Sequence, residues 1–365
     1  MKNGCLIVNS GMGTLRSLPI LNAFFAGGYT VLEIRILSMD DQEKIKQTLS
    51  QMQTQFDNIL LITKQSQTEW ARSLLVATWQ EITLQTGEKQ AGIFSNGEKS
   101  LFLLMDDQKK YGEDYVSEIC VPYLRKKYGK RMEKITLRTV GANHTRVEQL
   151  IAQAKNIDGG RLLYQHTREF DEDVIRIFYG EDVPKMLTDD ILRLFLDGLG
   201  DTVYALNDKP LHEQLIELLK LRGKKISVAE SFTGGGIAKK LTSVSGASVV
   251  YFEGLNTYDE LSKIQRLGVQ EFTLKTFGAV SDQTAYEMAM GLLNTGNCDI
   301  SIATTGIAGP NTDKSMLPVG LCYIAVGTKE KVFVYRYKFD GTREEITEKA
   351  IRYALFLAYK QLKNM

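Results

Sequence analysis

The stretch Val228-Ala229-Glu230-Ser231-Phe232-Thr233-Gly234-Gly235-Gly236 decides how the rest of the chain is interpreted. It follows a short apolar run that predicts a buried strand at residues 225–229, and a helical pattern begins at residues 237–241. Ser231 therefore lies on a predicted strand-to-helix turn, where glycines allow close approach of the backbone and unpaired N–H groups suit an anion or an oxyanion. The alternative interpretation is a glycine-rich connector in which Thr233 caps the helix.

Composition indicates a soluble globular protein of two or three domains, because 365 residues are long for a single core. A hydrophobic content of 43%, a charged content of 24% and a net charge of +1 give no general attraction to nucleic acid or membrane. No secretory signal and no run of about 18 apolar residues is present. We expect a cytoplasmic location with no membrane partner.

Cysteine and histidine usage narrows the possible chemistry. Four widely separated cysteines without a CxxC pair argue against a zinc site or a disulfide framework. The three histidines are His144, His166 and His212, so a serine at position 231 would have to borrow a histidine base from an earlier region. A lysine is the better candidate for the base.

The first 130 residues predict an α/β sandwich with a mostly parallel sheet. The predicted strands are residues 5–9, 30–37, 58–63 and 100–105, and the predicted helices are residues 15–26, 41–53, 69–80 and 111–128. The segment Ser10-Gly11-Met12-Gly13-Thr14 after the first strand could cradle a phosphate, but it lacks the full spacing of a phosphate-binding motif and the P-loop lysine. A turn without a ligand is the preferred interpretation there.

Residues 131–205 predict a small α+β unit that serves as a spacer or an interface. Its predicted strands are residues 134–139, 161–165 and 174–179, and its predicted helices are residues 147–155 and 188–199. A polar join then leads to Pro210, which we expect at the first position of a helix that opens the last domain.

The last region places several polar residues at the ends of predicted elements. Lys263 falls in the first turns of a helix at residues 259–268 that is entered through Tyr258, and Ser281 is a predicted N-cap. A buried strand at residues 299–305 leads to a glycine loop at residues 306–310, at the strand end where ligands of open α/β sheets bind. Arg343, before a closing helix at residues 344–362, could reach a carboxylate or phosphate, or could form a surface pair.

Residues 209–362 closely resemble the C-terminal domain of the CinA (competence/damage-inducible) family, which also exists alone as nicotinamide-nucleotide amidase. The segments that carry the resemblance are Ala229-Glu230-Ser231, Thr233-Gly234-Gly235, Thr257-Tyr258 with Lys263, Gly278-Ala279-Val280-Ser281, Thr305-Gly306-Ile307-Ala308-Gly309-Pro310, Pro318-Val319-Gly320, and Gly341 with Arg343.

The resemblance implies hydrolysis of nicotinamide mononucleotide to nicotinate mononucleotide and ammonia, with no metal and no cofactor. It assigns Ser231 as the nucleophile and Tyr258 and Lys263 as the pair that activates it. The expected substrate-binding residues are Thr233, Gly234, Gly235, Ser281, Thr305, Gly306, Ala308, Gly309 and Arg343. The family usually has Cys where this chain has Phe232, and the larger ring is expected to narrow the pocket. The expected partners are a pyridine nucleotide and a second copy of the chain in a homodimer.

The order of the earlier regions is also similar to that of the family. The resemblance implies a molybdopterin-binding-like domain at residues 1–130, a KH-like linker domain at residues 131–205 and the amidohydrolase domain at residues 206–365. Glycines and paired aspartates of the family's pyrophosphatase site are replaced at residues 63–69 and 105–108, which predicts that this activity is lost. The KH-like region has no Gly-x-x-Gly clamp, so binding to RNA is not expected.

A different class of function also fits these features. A non-catalytic scaffold that binds a pyridine nucleotide or a protein is suggested by the replaced N-terminal loops and by Phe232. Retention of the serine, the tyrosine and the lysine together favours the enzyme.

Overall fold

The computed structural model describes residues 2–9, 17–82, 91–129, 132–312 and 316–365. The chain forms two compact units, one of residues 1–134 and 178–184, the other of residues 135–177 and 185–365. The protein is a mixed α/β protein with three sheets. The division into three domains stays a prediction, and the Ser10 to Thr14 segment lies outside the described residues.

The first unit is built on a six-stranded sheet with the order β2-β1-β3-β6-β5-β4. Its strands are β1 Asn3–Asn9, β2 Glu33–Ser38, β3 Asn58–Thr63, β4 Gln80–Ile82, β5 Gly92–Ser95 and β6 Ser100–Met105. Its helices are α1 Leu18–Ala26, α2 Gln42–Gln55, α3 Thr68–Leu75, α4 Glu113–Tyr115 and α5 Val121–Tyr128, with a π-helical stretch Val116–Cys120 between the last two. The four strands β2, β1, β3 and β6 are parallel, whereas β5 pairs antiparallel with both β6 and β4.

Alternating side chains of this sheet supply two apolar layers. Cys5 and Ile7 of β1 belong to a cluster with residues of α1 and α5, whereas Leu6 and Val8 belong to a cluster with residues of α2 and α3. Helices therefore cover both faces of the sheet, as expected for a mostly parallel sheet.

A four-stranded antiparallel sheet follows, with the order β10-β7-β9-β8. Its strands are β7 Met132–Val140, β8 Leu163–Glu169, β9 Glu172–Gly180 and β10 Val203–Ala205, and its helices are α6 His144–Asp158 and α7 Lys185–Leu199.

The last sheet has five strands in the order β12-β11-β13-β14-β15. Its strands are β11 Ile226–Glu230, β12 Tyr251–Asn256, β13 Ile300–Gly306, β14 Leu321–Thr328 and β15 Val332–Lys338. Its helices are α8 Leu211–Arg222, α9 Gly236–Thr242, α10 Glu260–Leu267, α11 Glu271–Phe277, α12 Asp282–Asn294 and α13 Arg343–Lys363. Because β12, β11 and β13 are parallel, their carboxyl ends meet at one edge, and the loops after them carry the polar residues singled out above.

Most predicted elements form, with corrections at several ends. The helix predicted at residues 69–80 ends at Leu75, and residues 80–82 form the edge strand β4. The strand predicted at residues 161–165 is Leu163–Glu169, and the polar join contains the short strand β10. Pro210 is the N-cap of α8 and not its first residue. Among the described residues, no helix is both long enough and apolar enough to cross a membrane.

Candidate active site

Ser231 lies directly after β11, on a turn that requires glycine for its backbone conformation. Gly234 and Gly235 have φ angles of +61° and +93°, and no described atom lies within 4 Å of a Cβ built on either residue. The φ angles, and not a lack of space, therefore select glycine. Gly235 is the N-cap of α9, so the alternative that Thr233 caps this helix is wrong.

The carboxylate of Glu230 occupies the start of α9. Its Oε2 accepts from the backbone N–H of Gly235 at 3.1 Å and of Ile237 at 3.0 Å, and its Oε1 accepts from Ala238 at 2.8 Å. The residue is 1% exposed. These N–H groups are therefore already satisfied within the chain and do not form an open anion site.

Two backbone donors next to the serine remain. The N–H of Ser231 donates to the carbonyl of Thr304 at 3.0 Å, whereas those of Phe232 and Thr233 have no hydrogen-bond partner within the described part of the chain. Consecutive unpaired N–H groups beside a nucleophile are the usual donors to a developing oxyanion.

Lys263 reaches Ser231 from the first turns of α10, which Asp259 caps by accepting from the N–H of Leu261. The Nζ of Lys263 lies 3.2 Å from the Oγ of Ser231, and it donates to the carbonyl oxygens of Thr257 at 2.7 Å and Tyr258 at 3.2 Å. Lys263 is 1% exposed, so it is a buried residue and not a solvated surface lysine. The amine donates to the Oγ of Ser231 when it is charged; when it is neutral, the two carbonyls can accept its two hydrogens and its lone pair can accept from the hydroxyl.

Burial lowers the pKa of Lys263 below its ordinary value, because a charged amine loses hydration in the interior. The negative charges of Glu260 and Asp259 act in the opposite direction, but they do not reverse the shift. A lysine can act as a general base when its amine is neutral, so this environment favours that chemistry.

The backbone carbonyl and the side-chain hydroxyl of Tyr258 lie in different parts of the site. Its carbonyl accepts from Lys263, but its side chain is 65% exposed and its hydroxyl lies 3.4 Å from the Nη2 of Arg343. Within the described residues the hydroxyl makes no hydrogen bond to Ser231 or Lys263. The structure therefore brings the serine and the lysine together and leaves the phenol at the mouth of the site.

Ser231, Tyr258 and Lys263 line a cleft of about 1070 Å³. Of the residues expected to bind the substrate, the lining of the cleft includes Thr305, Gly306, Ala308, Gly309 and Arg343. Arg343 begins α13, and its Nη1 donates to the carbonyl of Gly309 at 2.8 Å, which joins it to the glycine loop after β13.

The other expected substrate-binding residues stabilise the local fold in the described structure. Thr233 shares a 2.8 Å hydrogen bond with Thr304, and Gly234 and Gly235 form the turn. Ser281 is the N-cap of α12, as predicted, and its hydroxyl accepts from the N–H of Thr284. None of these four residues is part of the described lining of the cleft.

Phe232 is both a lining residue and part of the core. Its side chain is buried in the apolar cluster that packs against α8, α9 and α13, and it also borders the cleft. Most of the ring is therefore used in packing.

Sequence reasoning missed Glu230 and the carbonyl of Thr257. The available signal was a charged residue at the end of the fully buried strand β11, since a buried carboxylate must find donors nearby. A backbone carbonyl leaves no signal in the side-chain pattern, so the role of Thr257 becomes visible only in the structure.

Comparisons with known proteins extend these observations. The sequence profile of a family described as CinA C-terminal domain matches residues 208–362. A protein of Caldicellulosiruptor saccharolyticus, which carries the name competence-damage inducible protein, is 38% identical over 254 residues, covering 69% of this chain and 61% of the relative. A CinA-like protein of Kosmotoga olearia is 32% identical over 258 residues, covering 70% of this chain and 62% of the relative.

The chain thus spans about three fifths of the length of these relatives. Among solved structures, the competence/damage inducible protein CihA from Agrobacterium tumefaciens is 37% identical, covering 44% of this chain and 99% of that chain, with a TM-score of 0.40. A CinA superfamily protein from Klebsiella pneumoniae is 30% identical, covering 42% of this chain and 97% of that chain, with a TM-score of 0.42.

Proposed function

The chain belongs to the CinA family, and from this premise we propose that its C-terminal region is an amidohydrolase that converts nicotinamide mononucleotide to nicotinate mononucleotide and ammonia. The single observation that carries the proposal is the buried amine of Lys263, 3.2 Å from the hydroxyl of Ser231. A serine with a neutral amine at this distance is a nucleophile with its base, and no histidine is needed.

In the proposed first step, the Oγ of Ser231 attacks the carboxamide carbon and its proton passes to Nζ of Lys263. The carbonyl oxygen becomes an oxyanion, which the N–H groups of Phe232 and Thr233 stabilise. The C–N bond then breaks, and the nitrogen leaves as ammonia after it receives a proton. Water hydrolyses the remaining ester by the reverse proton path and restores the hydroxyl of Ser231.

Lys263 and Tyr258 are both candidates to deliver the proton to the leaving nitrogen. The ammonium of Lys263 holds the proton taken from Ser231, and Tyr258 lines the same cleft. A Tyr258→Phe variant distinguishes the two donors, because it removes the hydroxyl and keeps the ring that lines the cleft. A large fall in kcat would identify Tyr258 as the donor, and an unchanged kcat would identify Lys263.

We propose that Arg343 and the loop from Gly306 to Gly309 bind the phosphate of the substrate. The hydrogen bond from Arg343 to Gly309 fixes one edge of the guanidinium, so its other donors can meet a phosphate. The start of α9 is not proposed for this role, because Glu230 already occupies it.

The test is ammonia release from nicotinamide mononucleotide by the purified full chain. Ser231→Ala is expected to lower kcat by at least about 1000-fold, because the nucleophile is removed. The matched control is Ser243→Ala, an exposed serine outside the cleft, which should retain the wild-type rate. Equal rates for Ser231→Ala and the wild type would remove this serine from the mechanism.

A second measurement separates the enzyme from a scaffold that only binds. Nicotinamide mononucleotide should raise the melting temperature of Ser231→Ala without turnover, while the wild type turns it over. Stabilisation of both proteins without any ammonia would identify the chain as a binding protein. Nicotinamide riboside serves as the substrate without a phosphate, and we expect a higher KM for it.

For the first unit we propose a molybdopterin-binding-like fold that has lost pyrophosphatase activity. The N–H of Gln65 donates to both carboxylate oxygens of Asp107, at 3.0 and 3.2 Å, and the side chain of Gln108 donates to that of Gln65 at 3.0 Å. The two replaced loops thus bond to each other. Hydrolysis of ADP-ribose by the full chain, lost on Asp107→Ala, would contradict this proposal.

A further inference from the structure

Strand β2 lies at the edge of the six-stranded sheet and exposes a row of large apolar side chains. Among the described strands it pairs only with β1. Leu32, Ile34 and Ile36 are 62%, 46% and 51% exposed, and they share one face because side chains alternate along a strand. Natural edge strands usually avoid such a row, because it invites pairing with another chain.

The opposite face of β2 carries a pair of opposite charges. Glu33 and Arg35 are two residues apart and form an ion pair at 2.6 Å. Arg35 also donates to the side chains of Gln51 and Gln55 on α2. The strand therefore presents an apolar face and a charged face. Along the sequence, Leu32 and Ile36 on the first face and Glu33 and Arg35 on the second lie at equal distances on either side of Ile34.

The backbone of β2 also has a defined free edge. In the parallel ladder, Asn9 of β1 is aligned with Ser38, and the N–H of Met39 donates to the carbonyl of Asn9 at 2.9 Å, so the peptide groups of odd-numbered residues of β2 point toward β1. Those of Ile34 and Ile36 therefore point away from the sheet. These are the groups that an added strand would bond.

We propose that the partner of this edge is β2 of a second copy of the chain, paired antiparallel about a two-fold axis through Ile34. Glu33 of each copy then lies opposite Arg35 of the other, and the two copies of Ile34 form the hydrogen-bonded pair at the axis, because their peptide groups point outward. Leu32 lies opposite Ile36, and Ile34 lies opposite itself. The interface is isologous, and two six-stranded sheets become one continuous sheet.

Charge selects this register over its neighbours. A shift by two residues in one direction places Glu33 opposite Glu33, and a shift in the other direction places Arg35 opposite Arg35. Like charges directly opposite each other on paired strands are destabilising, whereas opposite charges stabilise the pair. The sequence Leu32-Glu33-Ile34-Arg35-Ile36 is thus complementary to itself only in the register centred on Ile34.

The first test uses disulfide cross-linking of the full chain. The four native cysteines are buried, so Ile34→Cys adds the single exposed thiol among the described residues. A residue on the two-fold axis faces its own copy, so this variant should form a covalent dimer on mild oxidation. Ile36→Cys is the matched control, because it faces Leu32 and should cross-link at least 10-fold more slowly.

The second test measures dimer dissociation by sedimentation of the full chain. Ile34→Lys should raise the dissociation constant by about 100-fold, because two adjacent apolar side chains are replaced by two like charges. Val76→Lys, at a position that is 73% exposed in the same unit, should leave it unchanged.

Charge reversal tests the register itself. Glu33→Arg and Arg35→Glu should each weaken the dimer by about 10-fold, and the double reversal should restore it, because opposite charges again face each other. Circular dichroism of each variant serves as the control for folding. A chain that is monomeric at all concentrations, a dimer insensitive to Ile34→Lys, or equal cross-linking at positions 34 and 36 would overturn the proposal.

Discussion

The amine of Lys263 has three polar neighbours, and they can satisfy it in either protonation state. Two are carbonyl oxygens that can only accept, and the third is the hydroxyl of Ser231, which can accept from the ammonium or donate to the lone pair of the neutral amine. Its pKa is lowered by burial. The protonation state of this residue therefore controls both the proposed chemistry and part of the stability.

We predict that kcat/KM rises with pH and levels off above the pKa of Lys263, which lies below the ordinary lysine value of 10.5. Lys263→Arg should lower the rate by about 1000-fold at every pH, because a guanidinium does not lose its proton. The measurement is ammonia release across a pH series. Lys275→Arg, at an exposed position paired with Glu271, is the control and should keep the wild-type profile.

The same lowered pKa has an effect of defined sign on folding. The unfolded chain binds a proton at Lys263 at pH values where the folded chain has released it. The contribution of this residue to the free energy of unfolding therefore rises with pH between the lowered folded pKa and 10.5. A rate profile that falls with pH across this interval would contradict the role of Lys263 as the base.

At the scale of elements, the position of α10 depends on a close contact with α12. A Cβ built on Gly291 of α12 would lie 2.1 Å from the carbonyl oxygen of Leu267, the last residue of α10. Because the obstacle is backbone, a larger residue at position 291 must move one helix. Movement of α10 displaces Lys263 relative to Ser231.

Gly291→Ala is therefore predicted to act against the usual preference of helices. Alanine in place of a helical glycine normally stabilises a helix by about 1 kcal/mol. Here we expect a loss of about 2 kcal/mol in the free energy of unfolding and a fall in kcat of about 10-fold. Urea unfolding and ammonia release measure the two effects.

The control for this variant is Asn294→Ala, which changes an exposed residue near the end of the same helix. It should change neither the free energy of unfolding nor kcat by a measurable amount. A stabilised and fully active Gly291→Ala protein would show that the contact between the two helices is not tight.

Elements with a clear apolar pattern could be predicted from the sequence, and the shortest edge strands could not. The strands at Asn58–Thr63 and Ser100–Met105 were predicted with their observed ends, because their apolar runs are clearly bounded. The strands β4, β5 and β10 have three or four residues each and were missed. Pairing with a neighbouring strand, and not an internal pattern, defines them.

The candidate site could be predicted only at the level of side chains near strand ends. Ser231 was singled out by its glycine-flanked turn and Lys263 was assigned by the family resemblance, and the structure brings the two within hydrogen-bond distance. The contact of the Tyr258 hydroxyl with Arg343 joins positions 85 residues apart. Such a contact depends on how separate loops converge, and no local pattern encodes it.

At the scale of the whole molecule, Glu172 connects the four-stranded sheet with the closing helix of the second unit. Its Oε1 accepts from Arg138 at 2.6 Å and also from the hydroxyl of Tyr204, and its Oε2 accepts from Arg352 of α13 at 3.2 Å. Burial raises the pKa of Glu172, but the guanidinium of Arg138 and the other partners outweigh it, so the pKa is lowered overall. Two elements separated by 180 residues are thereby joined.

We predict that Glu172→Gln lowers the free energy of unfolding of the full chain by about 3 kcal/mol at neutral pH, because Arg138 and Arg352 lose a buried counter-charge. The stabilisation by the carboxylate is complete above its ordinary pKa of 4.5 and is lost as the pH falls through the lower folded value. Urea unfolding at neutral and acid pH measures the difference between variant and wild type.

The difference should therefore shrink in acid. Glu271→Gln, which removes a carboxylate from an exposed pair on α11, should cost less than about 0.5 kcal/mol at either pH. A variant that matches the wild type at neutral pH would show that the buried network contributes nothing to stability.

The turn after Ser231 has a consequence for handedness. Both of its left-handed glycines face open space, so a methyl group would fit there, and only the mirror-image preference of natural residues keeps it out. A D-alanine introduced by chemical ligation favours the positive φ angles of this turn and would restrict the unfolded chain more than glycine does. The segment that presents the proposed nucleophile is thus selective for chirality, and not for size.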